Sequence, residues 1–375
     1  MREFMDGAEA IVRGALAAGC NFFAGYPITP STPILLQMLR ELPKVGGVGI
    51  QGEDEIASIG MCIGAAMSGA KAMTATSGPG ISLYSENIGL AIMGEVPLVI
   101  VDAMRLGPAT GGATTVSQGD VQFLRWGTSG GFPIIALCPT NVAECYTLTQ
   151  QAFNLAERFR TPVFIATDKE MVNAQQTVDT DAFQPLPAVN RALAPQDAEY
   201  VPYRVQNLSD TPAFAPVGGD HLVRFTTSMH DERGMLTKKP ASVDKKGRHL
   251  NEKIEAHRAE LEFVKWEVAP GATTLLVGYG ITARSLIEAA QLARAAGKKV
   301  STLIIYSLWP VPERALRLAL QGITRVIVPE LNLGQYRREV ERAALACDPR
   351  PEVIGVNRID GELITPEEIV EQIAG

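Results

Sequence analysis

The stretch GYPITPSTP at residues 25–33 and the carboxylate of Glu55 carry residue types at a spacing that could do chemistry. The first reads as a strand-to-helix turn, with the Thr29, Ser31 and Thr32 hydroxyls placed where backbone N–H groups point outward. Pro27, Pro30 and Pro33 stiffen that turn and pre-set φ. Glu55 stands at the mouth of a segment rich in small residues. An anion-binding turn beside a carboxylate that can hold a ring nitrogen suits the positioning of an organic cofactor. From these residues alone, an ordinary N-capped helix start reads as well.

The neighbouring motifs extend the same two readings. Glu53, Asp54 and Glu55 precede a helix, where acids complement the helix dipole. The run that follows holds Ala57, Ser58, Gly60, Cys62, Gly64, Ala65, Ala66 and Ser68, which leaves room for a backbone or a flat ligand. At least one of the three carboxylates is expected to face that approach. TATSGPG at 74–80 ends a strand and opens a helix, and such turns meet anions or rings through backbone N–H groups. Arg105 closes PLVIVDAMR at the carboxyl end of a strand, where α/β sheets place ligands. It reads as a bidentate grip on a carboxylate or as a surface ion pair. The four histidines (His221, His230, His249, His257) all lie beyond residue 220, which excludes a Ser-His-Asp or Cys-His site in the N-terminal part. Proton handling there falls to carboxylates, lysines or a cofactor. Gly278, Gly280 and Ala283 fit a dinucleotide fingerprint, but the next strand ends in Tyr306 and Ser307 where an acid should hold the ribose. Close strand–helix packing is the expected use of that turn.

Around these residues the chain reads as α/β. Its 375 residues suggest two or three domains, and 46% hydrophobic residues with 35 glycines suit tight strand–helix turns. A net charge of −7 argues against nucleic acid as a main partner. No apolar run reaches membrane-span length and the first residues are polar, so no membrane anchor or signal peptide is expected. Cys20, Cys62, Cys138, Cys145 and Cys347 form no C-x-x-C, which excludes a self-contained iron–sulfur or zinc site and fits a reducing cytoplasm. Strands are expected at 21–24, 48–51, 72–76, 97–103, 133–137 and 162–166. Helices are expected at 7–19, 33–42, 54–68, 81–93 and 142–159. Continuous apolar runs such as PLVIVDA mark strands buried on both faces, hence a parallel sheet covered by helices. Residues 1–175 form the first domain in this reading. Residues 176–265 form a long connection, rich in proline, aspartate and lysine, with a charged helix near 250–265. A second α/β unit fills 266–375, with strands at 274–277, 300–305 and 324–328 and helices at 283–296 and 335–346.

With these motifs assembled, the chain resembles the α subunits of the 2-oxoacid:ferredoxin oxidoreductases, within them the 2-oxoglutarate type. GYPITPST, the acidic stretch at 53–57 and TSGPG resemble the family's thiamine-pyrimidine domain. GPATGGATTVSQGD at 107–120 resembles its substrate-side loop, with Gly107, Thr110 and Gly111 as loop residues. HDERG at 230–234 recurs in the 2-oxoglutarate type. So do GYGITARS at 278–285, LWPVP at 308–312 and PELNLGQ at 329–335, which resemble a transketolase C-terminal-like domain. Ile281 and Leu331 depart from the usual hydroxyl residue and the frequent methionine.

The resemblance implies CoA-dependent oxidative decarboxylation of a 2-oxoacid, often reversible, with electrons passed to ferredoxin and thiamine diphosphate as cofactor. It implies that the magnesium ion, the diphosphate site and a [4Fe–4S] cluster lie on a separate β subunit, in an (αβ)2-type hetro-oligomer. Glu55 then matches the glutamate that holds pyrimidine N1′, favouring the imino tautomer. Thr29 matches the threonine beside substrate and thiazolium, and Arg105 the arginine on the substrate's 1-carboxylate. Tyr26, Pro27, Ile28, Ser77 and Gly78 are the matching cofactor-side residues. Arg125 and Lys169 are candidates for a distal carboxylate. Pyruvate or branched-chain 2-oxoacids are rival substrates, and a nucleotide-binding, electron-transfer-flavoprotein-like subunit is the alternative from another class.

Overall fold

The computed structural model describes residues 1–374. In chain order the first elements are β1 (Arg2–Met5), α1 (Gly7–Ala17), β2 (Phe22–Gly25), α2 (Thr32–Glu41), β3 (Val48–Gln51), α3 (Glu55–Met67) and β4 (Ala72–Thr76). Next come α4 (Pro79–Leu83), α5 (Ser85–Met93), β5 (Leu98–Met104), α6 (Val121–Trp126), β6 (Ile135–Leu137), α7 (Val142–Phe159) and β7 (Pro162–Asp168). After α8 (Lys169–Asn173) and β8 (Gln176–Asp179) the chain runs without regular elements, apart from one short 3-10 turn, to α9 (Pro240–Glu255). The last part holds β9 (Val264–Glu267), β10 (Thr274–Gly278), α10 (Thr282–Ala295), β11 (Val300–Ile305) and β12 (Ser307–Trp309). It ends with α11 (Glu313–Ala319), β13 (Arg325–Glu330), α12 (Arg337–Ala344), β14 (Glu352–Asn357) and α13 (Pro366–Ala374).

A seven-stranded sheet runs in the order β12-β6-β7-β5-β4-β2-β3. It is parallel except for β12, which lies antiparallel on β6. Every residue of β5 and β7 is buried, as continuous apolar runs require under helices on both faces. From β2 the chain steps out to β3 at the edge, then returns to β4 on the other side of β2. The order therefore reverses between β2 and β4, and the crevice at their carboxyl ends is where such a sheet receives a ligand. GYPITP follows β2 and TSGPG follows β4, so both turns open onto that crevice.

The second sheet runs β14-β13-β10-β11-β9, with β9 antiparallel on β11. Pairing interleaves the segments expected from the sequence. β8, just past residue 175, pairs with β1, and β12 of the C-terminal part extends the first sheet.

Two expected helices differ. The helix expected at 81–93 breaks at Tyr84 into α4 and α5, and the buried Tyr84 phenol meets Thr74 Oγ1 at 2.7 Å. The charged helix of the connection lies at Pro240–Glu255 rather than near 250–265. Its inward stripe is Lys246, His249, Leu250, Lys253 and Ile254, so charge hides the helical period. Three of these side chains converge on the buried Glu95: Lys246 Nζ and Lys253 Nζ each lie 2.7 Å from its carboxylate and His249 Nε2 lies at 3.0 Å. Burial pushes the Lys253 ammonium down to about 8, against the pull of the carboxylate. The cluster fastens the connection to the first sheet, and a buried charge of this kind is tolerable only when paired.

Candidate functional site

The three acids before α3 are separated by their surroundings. Asp54 is the N-cap, accepting from the Ala57 N–H at 2.7 Å, and is exposed. Glu53 precedes the cap and is also exposed. Glu55 is buried in the first turn and its side chain lies against Gly80 of the TSGPG turn. A methyl at Gly80 would overlap the Thr76 hydroxyl and come 3.0 Å from Glu55 Oε1. The small residue of TSGPG thus makes the space that brings β4's end up to the carboxylate.

Thr76 Oγ1 and Ser77 Oγ are buried without a hydrogen-bond partner. Unmet buried polar atoms are uncommon, and beside a carboxylate at the switch point they mark a place where another molecule completes the bonding. Gly78 follows at φ 43°, against the Arg105 side chain.

Arg105 is buried at the end of β5 and ties two turns together. Its Nη1 donates to the Thr29 carbonyl at 2.5 Å and its Nη2 to the Thr110 carbonyl at 3.1 Å, while Nε has no partner. The surface ion pair that the sequence allowed is not what it makes. GYPITP and the loop at 107–111 are therefore held by one guanidinium. In that loop Gly107, Thr110 and Gly111 are exposed, and Gly111 is at φ 49°, where a Cβ would overlap the Leu106 carbonyl. In GYPITP, Thr29 and Pro27 are exposed, whereas Tyr26 and Ile28 are half-buried. Ser31 does not serve an outward N–H: its hydroxyl donates to the Ile28 carbonyl at 3.0 Å, and α2 has no side-chain cap.

A cavity of about 500 Å³ opens beside these turns. Gly78, Ser82, Gly107 and Asp120 line it from the first sheet, and Asn332 and Gln335 from the second. PELNLGQ builds that wall. Asn332 Nδ2 donates to the Gln118 carbonyl at 2.8 Å and Gln335 Nε2 to the Gly119 carbonyl at 2.5 Å. Glu330 accepts from Tyr279 and from the Tyr336 and Arg337 N–H groups, which fixes the turn that carries Asn332. The Gly278–Gly280 turn faces the same seam. Gly280 is at φ 55°, and a Cβ there would lie 2.5 Å from Gln118 Nε2. Close packing between the two units accounts for that glycine. Asp168 joins the units as well, capping α8 at Met171 N (2.9 Å) and reaching Ile281 N at 3.4 Å. Burial pushes its carboxyl up to about 6.

Sequence reasoning passed over two acids. Asp102 is fully buried in β5, in register with Thr76, and neither of its oxygens has a partner. Burial, then the neighbouring Asp120, pushes its carboxyl well up. Asp120 ends the 107–120 loop, and burial raises its carboxyl against the opposing pull of Arg105. One signal was available: an aspartate inside the otherwise apolar run PLVIVDA. Arg125 and Lys169 lie outside this cavity's lining. Arg125 donates to the Gly131 and Phe132 carbonyls and stacks on Trp126, and Lys169 pairs with Glu170 at 2.5 Å.

Comparison with known proteins shows the family. Residues 13–246 match the family model for the thiamine-diphosphate-binding part of pyruvate flavodoxin/ferredoxin oxidoreductases. Residues 272–369 match core domain II of pyruvate:ferredoxin oxidoreductase. The chain is 43% identical to the 2-oxoglutarate synthase subunit KorA of Methanocaldococcus jannaschii, covering 100% of this chain and 99% of that one. It is 34% identical to the ketoisovalerate oxidoreductase subunit VorB of Methanothermobacter thermautotrophicus, covering 99% and 97%. A solved 2-oxoglutarate:ferredoxin oxidoreductase from Magnetococcus marinus, with 2-oxoglutarate, coenzyme A and succinyl-CoA bound, superposes with a TM-score of 0.89 at 31% identity. It is matched over 100% of this chain, which spans 65% of that longer one. A split-gene transketolase at 14% identity and a TM-score of 0.54 shares the fold. The chain belongs to the thiamine-diphosphate-dependent 2-oxoacid:ferredoxin oxidoreductases.

Proposed function

We propose that the chain is the α subunit of a 2-oxoglutarate:ferredoxin oxidoreductase, which converts 2-oxoglutarate and coenzyme A reversibly into succinyl-CoA and carbon dioxide and passes the electrons to ferredoxin. One observation carries the site assignment: Glu55, the unpartnered Thr76 and Ser77 hydroxyls, and Arg105 converge at the switch point of the first sheet beside a cavity of about 500 Å³. Substrate choice is supported by the relatives. Four relatives named as 2-oxoglutarate synthase subunits stand at 40–43% identity over nearly the whole chain, above two named for ketoisovalerate at 34%, while a further one named for 2-oxoglutarate stands at 32%.

The residues present fit thiamine diphosphate on its pyrimidine side. When bound, that cofactor supplies the nucleophilic carbon and the electron sink for decarboxylation. Glu55 would hold pyrimidine N1′ and keep a proton there, with Tyr26, Pro27, Ile28, Ser77 and Gly78 as the surrounding wall. Thr29 stands beside the substrate. Arg105 orients the 1-carboxylate through its free Nε edge while its Nη groups hold the two turns. PELNLGQ holds the end of the 107–120 loop in place through Ser117, Gln118 and Gly119. The diphosphate, its magnesium ion and the [4Fe–4S] cluster belong to a β subunit in an (αβ)2 assembly, which fits the scattered cysteines of this chain.

The test is co-purification with that partner, followed by CoA-dependent reduction of ferredoxin or a dye with 2-oxoglutarate, pyruvate and 2-oxoisovalerate. The highest kcat/KM is expected for 2-oxoglutarate. A higher value for either rival overturns the substrate, and a yellow flavin complex without thiamine-dependent turnover overturns the enzyme class.

A further inference from the structure

Asp120 stands at the N-cap position of α6, where aspartate is among the favoured residues, yet its side chain caps nothing. Its Oδ2 is sealed from solvent and has no hydrogen-bond partner. Asp120 is one of the residues that line the cavity of about 500 Å³, with Gly78 and Gly107, next to the loop that Arg105 holds. A carboxyl left free of the helix it precedes, on a residue in the wall of a substrate-sized cavity, has a partner still to come.

Charge decides which form of that carboxyl a substrate meets. On β5, the Asp102 carboxyl is close enough to feel the charge of Asp120, and Arg105 at the strand's end pulls the Asp120 carboxyl down against its burial. On α6 itself, Arg125 is turned to the Gly131 and Phe132 carbonyls. Across the cavity the second unit presents Asn332 and Gln335, both neutral. Behind them Glu339 is engaged by Gln122 and Arg342, and Glu330 by Tyr279 and two backbone N–H groups. With both aspartates ionised, this corner would carry two negative charges against one guanidinium. A 2-oxoacid would then add a further carboxylate, and an unpaired charge out of water is costly.

We propose that Asp120 selects the substrate as a carboxylic acid: its protonated carboxyl donates to a carboxylate oxygen of the 2-oxoacid, so that substrate binds together with a proton. The inference rests on the 2-oxoacid reading of the site and adds to it a specificity residue. Asp102 is the positioning partner, since two adjacent carboxyls in one buried corner do not both ionise readily. An anionic substrate raises the proton affinity of Asp120 further, and by linkage its own binding weakens as pH rises.

The experiment is KM for 2-oxoglutarate between about pH 5.5 and 8.5, using the complex assembled with its partner subunit, for the native chain, Asp120→Asn and Asp120→Ser. The native KM is expected to climb on the alkaline side by up to about tenfold per pH unit, the limit for one linked proton. Either variant donates a hydrogen bond without charge at every pH, so its KM should be flat across that range. Two variants are used because either alone could fail to assemble. A role confined to folding would lower the yield of complex and leave the slope of KM unmoved. A flat native KM, or a variant that keeps the native slope, overturns the inference while turnover stands. A native complex that turns over no 2-oxoacid at any pH overturns the functional reading itself, and the inference with it.

Discussion

Gly80→Ala should separate stability from catalysis at one atom. The added methyl would overlap Thr76 Oγ1 and press on Glu55, 3.0 Å from Oε1 and 3.1 Å from Cγ. Thr76 sits in a buried strand, so its hydroxyl has little room to turn, whereas the end of the Glu55 side chain can move. Crowding of this kind costs about 1–3 kcal/mol. That corresponds to a fall in Tm of several degrees, at roughly 2–4 °C per kcal/mol or less for a chain of this size. A carboxylate displaced by about 1 Å loses its alignment on the pyrimidine, and such misplacement can cost about 10²-fold in turnover. Adding Thr76→Ala removes the hydroxyl overlap and leaves the Glu55 contact. The double variant should therefore regain most of the lost Tm without regaining kcat. The assay is 2-oxoacid-dependent dye reduction by the assembled complex, with a thermal melt on the same samples. Native kcat in Gly80→Ala, or recovery of kcat together with Tm in the double variant, would refute the placement of Glu55 against Gly80.

Three further outcomes follow from the same geometry. Glu55→Gln should lower kcat by about 10² or more while the complex still assembles, because an amide cannot exchange a proton as a carboxyl does; Glu53→Gln, at an exposed position ahead of the cap, should change kcat far less, and the reverse ranking would move the assignment. Arg105→Lys should raise KM for the 2-oxoacid by roughly tenfold, since an ammonium cannot span the Thr29 and Thr110 carbonyls and still offer an edge to a carboxylate; an unchanged KM would leave Arg105 a purely structural tie. Asp168, held at about 6 by burial, stabilises the fold in its protonated form at low pH and loses that contribution as pH rises through about 6. The Tm of the native chain should accordingly fall relative to Asp168→Asn between about pH 4 and 7, and parallel curves in that window would contradict it.

The sequence by itself determined the local frame of the site. Apolar runs marked β5 and β7 because a strand buried on both faces has no polar positions to spare. GYPITP and TSGPG marked the turns because proline and glycine restrict or permit backbone angles without help from distant residues. The acids before α3 were legible as a group, and burial chose among them: Asp54 caps, Glu53 faces water, and Glu55 is covered by the TSGPG turn. Only the tertiary structure could decide that, because the covering residue, Gly80, lies on another element, at the start of α4. The same holds for α9, whose inward lysines and histidine look like a solvated face until Glu95 is placed opposite them. It holds for Asp102 and Asp120 too, which become neighbours only when the loop after β5 folds back over its end. Periodicity and turn chemistry act over a few residues and are written in the chain. Which charge meets which, and which polar atom is left without a partner, is fixed by contacts between segments far apart in sequence, and those exist only once the sheets are assembled.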